Sequence, residues 1–148
     1  MIGRANLCEP EFANKVYEGR EIEVRPCIGC GRCLNGIMFG KRISCTINPS
    51  FELENEDTLT EAEVKKNVLV IGGGPAGMEA AFIAKKRGHH VVLCEAKAEL
   101  GGALHVACVP IAKQELTKVV KFLAHRIEAA GVDIRLNTPV TKEMLEGE

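Results

Sequence analysis

No stretch of this 148-residue chain approaches the roughly 20 consecutive apolar residues that a membrane helix requires. An excess of one charge is missing too: 19 Lys and Arg stand against 20 Asp and Glu, for a formal net charge of -1. That balance gives no electrostatic reason to expect nucleic acid or an acidic membrane surface as a partner. The first residues, Met1 to Pro10, carry Arg4 and Glu9 with no long apolar run between them, so they do not read as a signal peptide. A cytoplasmic location is therefore expected. Internal repeats and low-complexity tracts are absent from the sequence as well.

What is present is a hydrophobic fraction of 46%, enough for a packed core, and seven cysteines, a high and odd count for a reducing compartment. Cys27, Cys30, Cys33 and Cys45 lie close together, while Cys8, Cys94 and Cys108 are scattered. A secreted disulfide scaffold would spread its pairs along the whole chain. Clustering favours a metal.

Three regions differ in character. Residues 1–50 are rich in Gly, Cys, Arg and Pro with little sustained periodicity, and residues 51–66 form an acidic, solvated connector. From 67 to 148 the pattern is regular. Val68-Leu69-Val70-Ile71 reads as a buried parallel strand, Ala76 to Arg87 as a helix stopped by Gly88, and Val91 to Cys94 as a second strand. Lys113 to Ala130 reads as a second helix, with Leu116, Val119, Val120, Leu123 and Ile127 on one face, and Val132 to Leu136 as a third strand. The order β-α-β-α-β predicts an α/β fold: part of a doubly wound, parallel, Rossmann-like sheet preceded by an irregular cysteine-rich segment. Three strands would leave a sheet edge unpaired, which makes self-association an expectation.

The first strand runs into Gly72-Gly73-Gly74-Pro75-Ala76-Gly77, a match to G-x-G-x-x-G. Gly72 permits the tight turn, Gly74 lets backbone approach a pyrophosphate, and Gly77 allows close packing of helix on strand. The helix start at Pro75 and Ala76 then offers free N–H groups and partial positive charge to phosphates. Glu95 closes the second strand at the spacing expected of a ribose-binding carboxylate. It would repel a 2′-phosphate, so NADP is disfavoured there. Gly101-Gly102 marks a second place where backbone is expected to approach a flavin dinucleotide's diphosphate or ribityl region.

Cys27-Ile28-Gly29-Cys30-Gly31-Arg32-Cys33 reads C-x2-C-x2-C, with Cys45 following after eleven residues. Three thiolates in one short loop and a fourth from a neighbouring turn follow the ligand logic of a 4Fe-4S cluster. Zinc is the competing reading, although structural zinc sites usually supply two separated cysteine pairs. Free cysteines are a third reading.

Taken together, the cysteine loop, Asn48-Pro49, the acidic connector and the glycine loop resemble the NADH:flavin oxidoreductases related to 2,4-dienoyl-CoA reductase, 2-enoate reductase and trimethylamine dehydrogenase. The likeness extends to Leu7-Cys8-Glu9-Pro10-Glu11-Phe12-Ala13-Asn14-Lys15 and is most specific over Ile22 to Cys30. It implies the end of an FMN-binding TIM barrel and a 4Fe-4S loop within residues 1–50, a linker over 51–66, and an incomplete FAD- or NAD(P)-binding domain over 67–148. It also implies FAD at the glycine loop and makes Arg4, in Gly3-Arg4, a candidate remnant of an FMN phosphate contact. NAD(P)H and a small-molecule substrate of the enoate or enoyl-CoA type would be partners of the full-length enzyme. The resemblance places no catalytic residue in this chain, so an inactive fragment is expected. The small chain of glutamate synthase is an alternative resemblance, and a nucleotide-binding remnant with a structural metal is a non-enzymatic one.

Overall fold

The structure is a computed structural model that describes residues 3–52 and 59–146. The chain divides into two compact units, Met1–Thr58 and Leu59–Glu148.

In the first unit the structure adds three short helices that periodicity does not disclose: α1 (Gly3–Cys8), α2 (Phe12–Tyr17) and α3 (Arg32–Met38), with a single 3₁₀ turn at Glu21–Glu23. Helices of six or seven residues are far too short to persist alone. They need outside contacts, and these are mostly polar. Among the described residues of this unit the one buried hydrophobic side chain is Cys8, accompanied by buried Glu9 and Asn48. The Glu9 carboxylate accepts from the Lys15 ammonium at 2.7 Å and from the Glu11 and Arg25 amides at 3.2 Å. Asn48 donates to the Leu7 carbonyl at 3.3 Å.

The second unit is built as the hydrophobic pattern predicts. Strands β1 (Asn67–Ile71), β2 (His90–Cys94) and β3 (Asp133–Arg135) form a parallel sheet in the order β1-β2-β3. Helix α4 (Pro75–Lys86) connects the first two strands. The short α5 (Leu104–Ala107) and the long α6 (Leu116–Ala129) precede β3, and α7 (Lys142–Glu146) follows it. Because both crossovers step the same way across the sheet, right-handed connections put α4 and α6 on one face. There Met78 and Ala81 of α4, Val91 and Leu93 of β2, and Val119, Phe122, Leu123 and Ile127 of α6 make the core. Arg126 joins the two helices, pairing with Glu79 while its guanidinium lies 3.6 Å from the Phe82 ring centre. Both long helices end in the same pair of capping bonds. Gly88 and His89 donate to Lys85 and Ala84, and Gly131 and Val132 donate to Glu128 and Ile127.

Two expectations need correction. The first strand is not buried on both faces: Leu69 and Ile71 are 39% and 58% exposed. They lie on the side of the sheet away from α4 and α6, where Leu69, Val92, Cys94, Arg135 and, from α7, Met144 line an open groove of about 1340 Å³. An apolar run reports that both faces of a strand are apolar, whereas burial depends on what covers them. The second helix begins at Leu116 rather than Lys113. Ile111–Lys113 is a separate 3₁₀ turn, and Thr117 ties both its amide and its hydroxyl to the Gln114 carbonyl, closing a tight turn ahead of the helix. Among the described residues no helix is long and apolar enough to cross a membrane.

Gly77 is where strand and helix come closest. A Cβ there would lie 2.0 Å from the Gly72 carbonyl oxygen and 3.5 Å from a Val70 methyl. Alanine in a helix interior normally adds about 1 kcal/mol relative to glycine, but here backbone would have to move. Gly77→Ala is expected to destabilise the chain by about 1–3 kcal/mol in denaturant titrations. A stabilising effect would show that this contact relaxes freely.

Candidate functional site

The cysteine loop owes its curl to two glycines. Gly29 and Gly31 adopt φ of 65° and 74°, a left-handed conformation that side chains disfavour, and Gly31 turns the chain directly into α3. Cys27 and Cys30 therefore lie on the loop, and Cys33 in the first turn of the helix. Cys45 returns by a different device. Gly36 of α3 is buried, and a Cβ on it would lie 3.0 Å from the Arg42 carbonyl, so the chain leading back to Cys45 crosses the helix at that point. Arg32 Nε then donates to Ser44 Oγ at 2.7 Å, pinning the returning strand beside the loop.

The result is a concavity of about 380 Å³, measured to its open mouth, with Cys27, Cys30, Cys33 and Cys45 in its wall and Arg4 at its margin. Two groups there carry no signal in the cysteine spacing. Thr46 places its hydroxyl 3.2 Å from Cys30 Sγ. Burial works against a Cys30 thiolate, but that hydroxyl and the Arg32, Cys30 and Thr46 amides outweigh it and lower the pKa. Cys8 is the second. Its thiol, donating to the Pro26 carbonyl at 3.5 Å, lines the same concavity, and burial, with Cys45 close by, pushes its pKa well up. A fifth sulfur is thus present that strongly prefers to stay protonated.

The donor set is four cysteine sulfurs, the ligand type of both zinc sites and iron–sulfur clusters. The four cysteines surround the concavity, and among the described residues no three His, Cys, Asp or Glu side chains converge on a one-ion site. Zinc needs every sulfur about 2.3 Å from one atom. A cluster lets each thiolate take a different metal atom.

In the second unit the predicted glycine-loop residues come together at the ends of β1 and β2. The Gly72 amide donates to the Cys94 carbonyl at 2.8 Å, and the Gly73 amide to Glu95 Oε2 at 2.6 Å. Glu95 Oε1 accepts from the Lys97 amide at 2.9 Å. The Lys97 and Gly73 amides, in that order, hold the carboxyl below its ordinary range against the opposing effect of burial. Pro75 opens α4, and no side chain caps its N-terminus, so the first-turn amides at Ala76 and Gly77 are not taken up by a capping side chain. Gly74 lies beside open space: a Cβ on it would meet nothing within 4 Å.

The Gly101-Gly102 turn packs on this loop. Gly101 donates to the Gly73 carbonyl at 2.8 Å, and a Cβ on Gly102 would lie 3.1 Å from Gly74 Cα. His105, unassigned from sequence, donates from Nε2 to the Leu100 carbonyl at 2.7 Å and supports the turn from behind. Gly72, Gly74, Pro75, Ala76, Gly77, Glu95, Gly101 and Gly102 thus surround one region of the second unit. Arg4 belongs to the first.

The sequence pattern of the FAD dependent oxidoreductases matches residues 67–142. The chain belongs to that family. It is 40% identical over 147 residues to an NADH oxidase of Thermoanaerobacter brockii, covering 97% of this chain and 23% of that protein. It is 38% identical over 146 residues to a cinnamate reductase of Clostridium sporogenes, covering 98% and 22%. The solved structure of a 2-naphthoyl-CoA reductase in complex with 2-naphthoyl-CoA superposes with a TM-score of 0.92 at 28% identity, covering 97% of this chain and 22% of that one. The chain therefore spans less than a quarter of the length of the relatives it matches. The expected kinship with 2-enoate-reductase-type flavin oxidoreductases holds.

Glu95 carries a pH signature. Its pKa is lowered in the folded chain, so its contribution is fully present above the ordinary value of 4.5 and disappears as pH falls through the lower folded value. Glu95→Gln should cost about 1–2 kcal/mol of stability at neutral pH, the scale of a hydrogen bond to a charged group. The difference from wild type should shrink below pH 4.5. Unfolding curves at both pH values check it; a constant difference would assign the loss to packing.

Proposed function

We propose that the chain is the electron-transfer segment of an NAD(P)H-dependent oxidoreductase that carries FMN, FAD and a 4Fe-4S cluster and reduces enoate or enoyl-CoA type substrates. The observation that carries this reading is the cysteine concavity in a unit whose one buried hydrophobic side chain, among the described residues, is Cys8. A unit that small and that poorly supplied with apolar core needs a staple. A cluster on Cys27, Cys30, Cys33 and Cys45 would supply it, because binding energy at a site that exists only in the folded chain is also folding energy.

When bound, the cluster and the flavins supply one-electron and hydride chemistry. The chain's part is to hold and orient them. The uncapped amides at the start of α4 would take the FAD pyrophosphate. Glu95 has spent one lone pair of each oxygen on the Gly73 and Lys97 amides, which leaves one on each for the two ribose hydroxyls. Cys8 closes the cluster pocket without competing as a ligand, because burial favours its protonated thiol and that thiol is already engaged with the Pro26 carbonyl. The substrate class is supported by the names of the relatives, one a cinnamate reductase and another a 2-naphthoyl-CoA reductase, and NADH by that of the NADH oxidase. We assign no residue of this chain to substrate chemistry, and turnover by the chain alone is not expected.

Anaerobic purification followed by metal analysis and absorbance spectroscopy tests the assignment. About four irons per chain are expected, lost in Cys30→Ala and kept in Cys8→Ala. Stoichiometric zinc in place of iron would defeat the cluster. Calorimetric titration should show FAD binding that weakens by about tenfold or more in Glu95→Ala, the scale of one charge-assisted hydrogen bond.

A further inference from the structure

We propose that Glu9 is a positioning residue for the cluster site, setting the backbone that carries Cys27; the inference rests on the cluster reading above. Glu9 follows Cys8 at the end of α1 and is only 4% exposed. Burying a carboxylate is costly unless it is paired and hydrogen-bonded. Here its bonds reach three places: the neighbouring turn, α2 and the backbone ahead of Cys27. Oε2 accepts from the Lys15 ammonium of α2 and from the Arg25 amide, and Oε1 accepts from the Glu11 amide. Lys15 in turn donates to the Glu23 carbonyl at 3.0 Å. The carboxylate therefore ties the end of α1 to α2, to the 3₁₀ turn, and to the backbone just ahead of Cys27.

Neighbouring contacts reinforce the tie. The Arg25 guanidinium donates to the Cys8 carbonyl at 3.2 Å, and the Cys8 thiol donates to the Pro26 carbonyl. On the other side Asn48, 2% exposed and three residues beyond Cys45, donates to the Leu7 carbonyl while accepting from the Ser50 amide at 3.1 Å. Leu7, Cys8 and Glu9 thus hold both segments that deliver ligands, one before Cys27 and one after Cys45. Apolar packing tolerates small slides, whereas bonds to backbone amides and carbonyls fix register. With Cys8 the one buried hydrophobic side chain among the described residues of this unit, the spacing between the Cys27 loop and Cys45 depends on these bonds.

The test uses the full chain, reconstituted anaerobically with iron and sulfide. Glu9→Gln keeps the shape but removes the charge facing Lys15 and turns an N–H group toward an N–H donor. Iron release to a chelator should become about ten- to hundredfold faster, the usual scale for groups that orient metal ligands. The electron paramagnetic resonance spectrum and midpoint potential of the reduced cluster should change, and Glu9→Asp should recover part of each. Wild-type release, spectrum and potential in Glu9→Gln would overturn the positioning role and leave the cluster standing. A wild-type chain that takes up no iron would overturn both. Should Glu9→Gln fail to fold, Glu9→Asp decides, since it keeps the charge facing Lys15 but draws the carboxylate back by one methylene from the Arg25 amide. Its release must also accelerate, and an unchanged rate overturns the proposal.

Discussion

One hydrogen bond, from the Gly73 amide to the Glu95 carboxylate at 2.6 Å, fixes the mouth of the sheet. It ties the loop leaving β1 to the residue that follows β2. Everything that borders the glycine loop is arranged around it. Gly73 leaves little room for a side chain: a Cβ would lie 2.4 Å from a Leu100 methyl, which would have to turn away, and 3.2 Å from that carboxylate. The Gly73 carbonyl, facing the other way, receives the Gly101 amide and so draws the Gly101-Gly102 turn onto the loop. The uncapped start of α4 is aimed by the same turn of backbone. A carboxylate with two bonds to amides is a stiff support, and stiffness is what an anion-binding loop needs if its N–H groups are to converge.

The two units solve the problem of holding a site in opposite ways. In the second, the loops are carried on a sheet and two helices whose packed face includes Met78, Leu93 and Ile127, all with essentially no exposure. Side-chain hydrogen bonds there trim a frame that apolar burial already defines. In the first, the six-residue helices α1 and α2 are tied by a part-buried ion pair, and a buried amide bonds to α1. Buried polar groups of this kind specify geometry more than they add stability. A metal cluster makes sense in such a setting, since thiolate ligation would provide the energy that the polar hub does not.

How much could be read from the residues follows the same division. The glycine loop, both long helices and the three strands announce themselves through period and punctuation, because burial on one face imposes a repeat and capping demands glycine. The exposure of Leu69 and Ile71 was not legible, since sequence shows that a strand is apolar but not what lies over it. The start of α6 was misplaced because Gln114 and Thr117 make a local turn that propensity alone does not separate from helix. The first unit was read through its cysteines, whose spacing has a chemical meaning, and its helices were missed for want of an apolar stripe. Glu9 and Asn48 stood in plain view beside Pro10 and Pro49, yet a lone acid or amide gives no sign of burial. Only the fold tells the buried Glu9 from the exposed Glu61 and Glu63.

The electrostatics of Glu95 bear on which nucleotide this chain would accept. Amides from Lys97 and Gly73 hold its pKa down, so the carboxylate is ionised across the whole neutral range. A ribose offers two hydroxyl donors, which complement an ionised carboxylate with one free lone pair on each oxygen. A 2′-phosphate would replace one donor with close to two negative charges and could offer no proton in exchange. Within a few ångströms, repulsion between such charges costs several kcal/mol even at an effective dielectric of about 20. The hydrogen bonds to Glu95 come from backbone amides, and the nearby Lys97 ammonium acts on it only through space, without a bond that would fix it against a phosphate. The geometry that makes the loop rigid is therefore also what would turn a 2′-phosphorylated nucleotide away.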